Sequence, residues 1–176
     1  MKKYSLTYGI LAGIIVSVFM IISMLCYHKD MNFEKYGLII GYSGMLIAFS
    51  MVFVGIKKYK TNIGNGYIGF GKAFTIGLYI TLIASTMYVI SWMIEYYVFI
   101  PDFMDIYAAK MLENAKTLKL SATEMAAKLK EIESYKTMYK SPIMVALLTY
   151  FEIVPVGLLI ALISALVLKK KKNITT

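Results

Sequence analysis

Arginine is absent from this 176-residue sequence, and cysteine and histidine occur once each. Without arginine, the chain lacks the residue that most often makes bidentate contacts to phosphates and bases, so we expect no nucleic-acid partner. A single Cys and a single His exclude a disulfide framework and most metal or Cys–His catalytic sites. We therefore expect no metal, no cofactor and no enzymatic activity.

Charged residues are scarce as well, at 16% of the chain, while 59% of the residues are hydrophobic and the mean hydropathy is +0.67. A soluble domain has about 25% charged residues. The excess lies in four apolar runs, each longer than the roughly 20 residues that a membrane-spanning helix needs: about 4–27, 36–56, 73–100 and 142–168. The sequence predicts an all-α polytopic membrane protein with four transmembrane helices, in one membrane domain of residues 1–176 that contacts the lipid bilayer.

The net charge of +9 comes from lysines, which gather at the ends of the apolar runs. The N-terminal flank, the connection 57–72 and the tail 169–172 carry 2, 4 and 4 lysines and no acidic residue. Such flanks mark the cytoplasmic side. The pattern predicts a multi-pass membrane protein with both termini cytoplasmic, which leaves residues 101–141 on the outer side.

Residues 101–141 carry seven lysines against six acids and predict an amphipathic helical hairpin between spans three and four. Ser121 and Glu124 have the spacing of a capping box, which starts a helix. We expect a helical ion pair from Glu124 to Lys128. The hairpin helices either pack on each other or lie among the lipid headgroups. One apolar face of the second helix is predicted to hold Met125, Leu129, Ile132 and Tyr139.

Residues 64–69 match the spacing G-x-G-x-x-G of dinucleotide-binding loops. That motif binds a pyrophosphate only between a strand and the start of a helix. Here an apolar run and three lysines precede it, so we expect a turn.

Small residues recur at intervals of about four within the runs, which favours close helix packing in lipid. The four sets are Gly9, Gly13 and Ser17; Gly37, Gly41 and Ala48; Gly77, Thr81 and Ser85; and Gly157, Ala161 and Ala165.

Glu95 and Glu152 are the two charges well inside the apolar runs, both predicted in the outer half of the membrane. An unpaired carboxylate there is costly, so such residues are functional candidates. With Tyr96 and Tyr150 they form a candidate buried polar site; the alternative is a neutral carboxyl that only stabilises the fold. Pro155 removes a helix hydrogen bond beside Glu152 and is a candidate hinge.

Several short motifs give the sequence a resemblance to a known family. They lie in order at residues 55–59, 67–74, 101–103, 141–142 and 155–163. In their order and spacing the chain resembles the bacterial family called domain of unknown function 4199. The resemblance covers nearly the whole chain and implies a four-span inner-membrane protein without an established activity. It implies no catalytic residues.

Three functional hypotheses are compatible with the sequence. The first is a non-enzymatic subunit or organiser that binds a protein partner through residues 101–141 or forms a homo-oligomer. The second is a small proton-coupled transporter or ligand-binding membrane protein that uses Glu95 and Glu152. The third, a lipid-acting enzyme, lacks a recognisable nucleophile or metal cluster.

Overall fold

The structure, a computed structural model, describes residues 1–28, 33–118 and 120–170. Lysines 171 and 172 of the basic tail lie outside the described residues. The described part of the chain is helical and contains no β-strand, which confirms the all-α prediction. Its elements are α1 (Lys2–His28), α2 (Phe33–Asn62), α3 (Phe70–Ile94), a π-helix (Glu95–Phe99), α4 (Phe103–Thr117), α5 (Ala122–Tyr139) and α6 (Pro142–Leu168).

Four of these helices are long and apolar enough to cross a membrane. The spans are Lys2–Met24, Ile39–Asn62, Phe70–Phe99 and Pro142–Leu168. The fourth has the predicted bounds, whereas the second continues six residues beyond residue 56 because the lysines at 57, 58 and 60 remain helical. The prediction of four spans is confirmed, and the chain is a multi-pass membrane protein.

The chain divides into two compact units. The first comprises Met1–Ser91 and Tyr150–Thr176, and the second comprises Trp92–Thr149.

The core of the first unit depends on small residues, as the spacing predicted. Gly77 of α3 lies against Ala161 of α6, and a Cβ at residue 77 would come within 2.8 Å of the Ala161 Cβ. The hydroxyls of Ser17 on α1 and Ser91 on α3 are 2.8 Å apart. Because lipid supplies no hydrophobic drive between helices, these close approaches provide much of the packing.

The prediction for α2 was partly wrong. A Cβ added at Gly41 would have nothing within 4 Å, whereas Gly44 packs on Phe19 of α1. The buried stripe of α2 passes through Met45, Ala48 and Val52. Gly44 borders this stripe, and Gly41 is turned away from neighbouring helices.

The connection between α2 and α3 is a defined turn. Asn65 and Gly66 have φ angles of 48° and 84°, in the left-handed region that favours glycine. Beyond the turn, Ile68 and Lys170 form an isolated antiparallel bridge, with N–H to carbonyl distances of 3.1 and 2.9 Å. The Lys60 ammonium donates to the carbonyl of Leu168, the last residue of α6. Residues 64–69 therefore connect two helices by a turn, as predicted.

Exposed residues on the membrane-spanning helices are mostly apolar. Large side chains such as Ile39, Leu46, Ile90 and Val167 point away from the rest of the chain. Such surfaces fit contact with the lipid bilayer.

Candidate functional site

The second unit contains the predicted hairpin, and its two helices pack against each other. Met104 and Ala108 of α4 and Ile132 of α5 are buried in one cluster with Tyr96 and Val145. The amphipathic pattern of residues 101–141 therefore arises from helix–helix packing within this unit.

The face of α5 that turns inward is the predicted one except at one position. Ile132 is buried and Met125 and Tyr139 are half-buried, but Leu129 is exposed. The inward stripe also passes through Lys128 and Lys136, both half-buried. A lysine can cover apolar surface with its aliphatic stem while its ammonium group stays in water, so it can occupy such a stripe.

One ion pair joins the two helices of the hairpin. The Lys136 ammonium lies 2.7 Å from Oδ1 of Asp105. The hydrogen bond from Lys136 lowers the pKa of Asp105 below its ordinary value, and the same bond raises the pKa of Lys136. Both groups are charged near neutral pH, so the contact is a full ion pair.

Ser121 and Glu124 form the predicted capping box at the start of α5. The Ser121 hydroxyl accepts from the Glu124 N–H, and the Glu124 carboxylate accepts from the Ser121 N–H at 2.9 Å. The predicted pair of Glu124 with Lys128 was wrong, because the cap holds the Glu124 carboxylate. Lys128 instead pairs with Glu131 at 2.8 Å.

Aromatic rings surround Tyr96, one of the predicted site residues. Its ring lies 5.5 Å from that of Tyr139 and 4.9 Å from that of Tyr97, both edge-on. The Tyr96 hydroxyl donates to the Tyr139 carbonyl at 3.4 Å. Tyr96 therefore has a clear packing role in the second unit.

Glu95 opens the π-helix and is buried, with 5% of its surface exposed. Its backbone carbonyl accepts from the N–H of Ile100 at 2.9 Å, which closes the π-helix. Oε1 of its side chain has no hydrogen-bond partner among the described residues. A buried polar atom without a partner is rare, and π-helical turns are frequent at functional sites.

Glu152 occupies a different environment, because its side chain is exposed on α6. This corrects the expectation that both acids are buried. Ile153 and Gly157 turn into the bundle, and the helical rotation of about 100° per residue then carries Glu152 outward. Tyr150 is half-buried and donates its hydroxyl to Oγ1 of Thr86 at 2.9 Å. The candidate set is thus divided: Glu95 and Tyr96 belong to the second unit, Tyr150 and Glu152 to the first.

The predicted hinge, Pro155, lies inside α6, which is helical from Pro142 to Leu168. Hinge motion at this position stays a prediction. In the described part of the chain, no group of three or more His, Cys, Asp or Glu side chains could hold a metal ion.

A groove of about 560 Å³ lies between α4 and α5 at the end where the two helices are connected. Its apolar lining comes from Met111, Ala115, Leu118, Leu120 and Ala127, and its polar lining from Asn114, Glu124, Lys128 and Glu131. Leu118 remains 65% exposed. No sequence motif predicts this groove, and its one local signal is the pair of leucines, Leu118 and Leu120, beside the hairpin connection.

Comparison with known proteins gives a family but no activity. No curated protein and no solved structure matches the chain. The family model described as "Protein of unknown function (DUF4199)" matches residues 7–170, which include nearly all of the four spans and the whole hairpin. This match confirms the resemblance found in the short motifs of the sequence. The chain belongs to the DUF4199 family.

Proposed function

We propose that this chain is a non-enzymatic membrane protein, a subunit or organiser, that binds a protein partner through the groove between α4 and α5. The observation that carries the proposal is the groove itself, with its exposed Leu118 and its apolar lining. An exposed apolar concavity with polar groups at its edge is the usual form of a protein-binding site.

The lining of the groove defines the chemistry of the partner. Met111, Leu118 and Leu120 offer a site for one or two apolar side chains. Glu124 and Glu131 place two carboxylates at the edge against the one ammonium of Lys128. The partner segment that fits is therefore apolar at its centre, with a basic residue beside it.

The location of this interaction follows from the lysine distribution. We propose a bacterial inner membrane with both termini in the cytoplasm, because lysine-rich, acid-free flanks occur at the N-terminus, at residues 57–72 and after residue 168. The hairpin, with nearly balanced charges, then faces the outer side and meets a partner there.

Two adjacent alanines of α5 allow a matched test by photocrosslinking. Ala126 and Ala127 are both exposed, but only Ala127 lines the groove. A benzophenone side chain introduced at residue 127 should give one discrete adduct in native membranes, and the same group at residue 126 should give little.

A second pair of variants tests whether the groove forms that adduct. Leu118→Ser alters the groove, whereas Leu129→Ser alters an exposed leucine outside it. Leu118→Ser should lower the adduct yield several-fold and Leu129→Ser should leave it unchanged. Equal yields at residues 126 and 127, or equal effects of the two serine variants, would contradict the proposal.

A second candidate function is a proton-coupled transporter or ligand-binding protein that uses Glu95 and Glu152. The unpartnered Oε1 of buried Glu95 favours it, while the exposed position of Glu152 favours a different role for that residue. In vesicles containing the purified protein, a proton flux abolished by Glu95→Gln would support this function. A flux indistinguishable from that of empty vesicles would contradict it.

A further inference from the structure

Glu152 is exposed and is the one charged residue between Pro142 and Leu168 of α6. It lies ten residues after Pro142, about 15 Å along the helix at 1.5 Å per residue, within the span Pro142–Leu168. Its neighbour Phe151 is 82% exposed. The Glu152 side chain therefore points toward whatever surrounds the chain at that depth.

A carboxyl group at such a position needs a hydrogen-bond partner that lipid tails do not provide. The chain itself offers no opposite charge nearby, because the lysines of the four described spans lie at the span ends. The uncharged carboxyl is the form that a medium of low dielectric constant favours, and it has both a donor and an acceptor to satisfy.

Pro155 adds a second polar group at the same level. In a helix, the N–H of residue 155 would donate to the carbonyl of Phe151, and proline has no N–H. Thus the Phe151 carbonyl lacks its regular helical donor one residue away from Glu152. Two polar groups on one exposed helix surface indicate that another protein segment covers it.

We propose that this segment is α6 of a second copy of the chain, and that the two Glu152 carboxyls hydrogen-bond to each other across a two-fold interface. Both copies insert in the membrane with the same orientation, so their Glu152 side chains lie at the same depth without any further requirement. Two uncharged carboxyls are self-complementary, since each O–H donates to the carbonyl oxygen of the other. A two-fold interface brings the same residue from both copies together in this way.

The rest of the interface follows from the helical spacing of α6. Leu148, Pro155 and Leu159 lie on the same side of the helix as Glu152, and none of them is buried within the chain. This surface is apolar above and below Glu152, so a second α6 can pack along it while the two carboxyls meet. The inference is independent of the proposed function, because it uses no residue of the groove between α4 and α5.

Dilution of labelled protein in lipid vesicles tests the association directly. Energy transfer between donor- and acceptor-labelled copies, followed as the lipid-to-protein ratio rises, gives a dimer dissociation constant. Glu152→Gln should keep the association, because an amide also has a donor and an acceptor. Glu152→Leu should weaken it about ten-fold through loss of the paired hydrogen bonds, and it should not impair folding, because leucine is favoured in lipid.

Crosslinking locates the interface. In a Cys26→Ser background, Leu159→Cys should form a dimer with a short bismaleimide, and adding Glu152→Leu should reduce that dimer. Ile47→Cys, exposed on α2, is the control position and should stay monomeric. A monomeric native protein at every lipid ratio, an unchanged dissociation constant for Glu152→Leu, or a dimer crosslinked through residue 47 would each overturn the proposal. So would an adduct at residue 159 that contains only a different protein.

Discussion

At the scale of single residues, two carboxylates of the hairpin each accept hydrogen bonds from one other residue, Glu124 from Ser121 and Asp105 from Lys136. The hydrogen bond from the Ser121 side chain is the main reason that the pKa of Glu124 lies below its ordinary value of 4.5. The hydrogen bond from Lys136 likewise lowers the pKa of Asp105 below its ordinary value of 3.8. The charged form of each carboxylate is therefore more stable in the folded hairpin than in the unfolded chain.

The Asp105–Lys136 pair predicts how hairpin stability depends on pH. Because the pKa of Asp105 is lowered on folding, its contribution is present above about pH 3.8 and is lost as the pH falls through the lower folded pKa. The pKa of Lys136 is raised, so its contribution is present below about pH 10.5 and is lost only above that. Between these limits the pair should contribute a constant stabilisation.

Amide hydrogen exchange of α4 and α5 measures this effect. Protection should fall on acidification below about pH 4 in the native chain, after correction for intrinsic exchange. Lys136→Met should reduce both the protection at neutral pH and its acid dependence. Lys130→Met, at an exposed lysine on the same helix, is the control. Identical acid dependence in the native chain and the Lys136 variant would contradict the assignment.

The N-cap of α5 predicts a second effect at this scale. Ser121→Ala removes the hydroxyl that accepts from the Glu124 N–H, and loss of such a cap costs about 1 kcal/mol. Amides in the first turn of α5 should then exchange about five-fold faster than in the native chain, while those in α6 should not change. Ser134→Ala, at an exposed site inside α5, is the matched control.

The sequence predicted the cap correctly and the ion pair of Glu124 incorrectly, for a single physical reason. One carboxylate cannot serve the Ser121 backbone and a lysine four residues later with equal geometry. The cap uses Glu124, so Lys128 pairs with the next acid on its face, Glu131. Spacing alone shows both options, and only the geometry shows which one is occupied.

At the scale of helices, the packing of α3 on α6 depends on glycines, whose lack of a side chain lets the two backbones come close. Gly77 approaches Ala161, and Gly157 approaches Thr81 and Phe49. In each case one helix supplies a glycine where a neighbouring helix supplies a methyl group or, for Phe49 of α2, a ring. Even the Cβ of an alanine at either glycine would come within 2.8 Å of a neighbouring atom, so any side chain there would push the helices apart.

Paired glycine variants test this packing. Gly77→Leu should lower the free energy of unfolding by about 1–3 kcal/mol, because a Cβ there already comes within 2.8 Å of Ala161. Gly41→Leu should be far milder, since nothing lies within 4 Å of the added Cβ. Thermal denaturation in detergent gives the comparison. Equal destabilisation by the two variants would show that the α3–α6 contact is not as tight as described.

The number and approximate positions of the spans were predictable, but helix faces were predictable only in part. Runs of apolar residues closed by lysine or proline located the four spans. A membrane helix is apolar on all sides, however, so its pattern hardly distinguishes the face toward other helices from the face toward lipid. For that reason Gly41 and Glu152 were expected inside and lie outside. The π-helix at Glu95 has no sequence signature of its own, and sequence analysis gave no sign of it.

At the scale of the whole molecule, the number of membrane crossings determines which segments share a side of the membrane, because each span carries the chain across once. Four crossings place the N-terminus, the α2–α3 connection and the end of α6 on one side of the membrane. The bridge between Ile68 and Lys170 agrees with this, because it joins two of the three segments on that side.

Reporter fusions test the orientation. A reporter active only in the cytoplasm should work at residue 65 and fail at residue 120, and a reporter active only outside should show the reverse. This result is expected because the lysine-rich flanks carry no acidic residue. The same activity at both positions would contradict the four-span arrangement, and an exchanged pattern would contradict the cytoplasmic termini.

The bridge between Ile68 and Lys170 can form only late in the synthesis of the chain. About 100 residues separate Ile68 from Lys170, and synthesis at ~5–20 residues per second takes roughly 5–20 s to add them. Ile83 is made within that interval, so α1 and α3 can form contacts such as Gly9 with Ile83 before Lys170, the bridge partner of Ile68, has been added. Lys60 likewise has no Leu168 carbonyl to bind. The turn has its own hydrogen bonds, such as that from the Tyr67 N–H to the Gly64 carbonyl, so the last span adds only the contacts that join this connection to the end of α6.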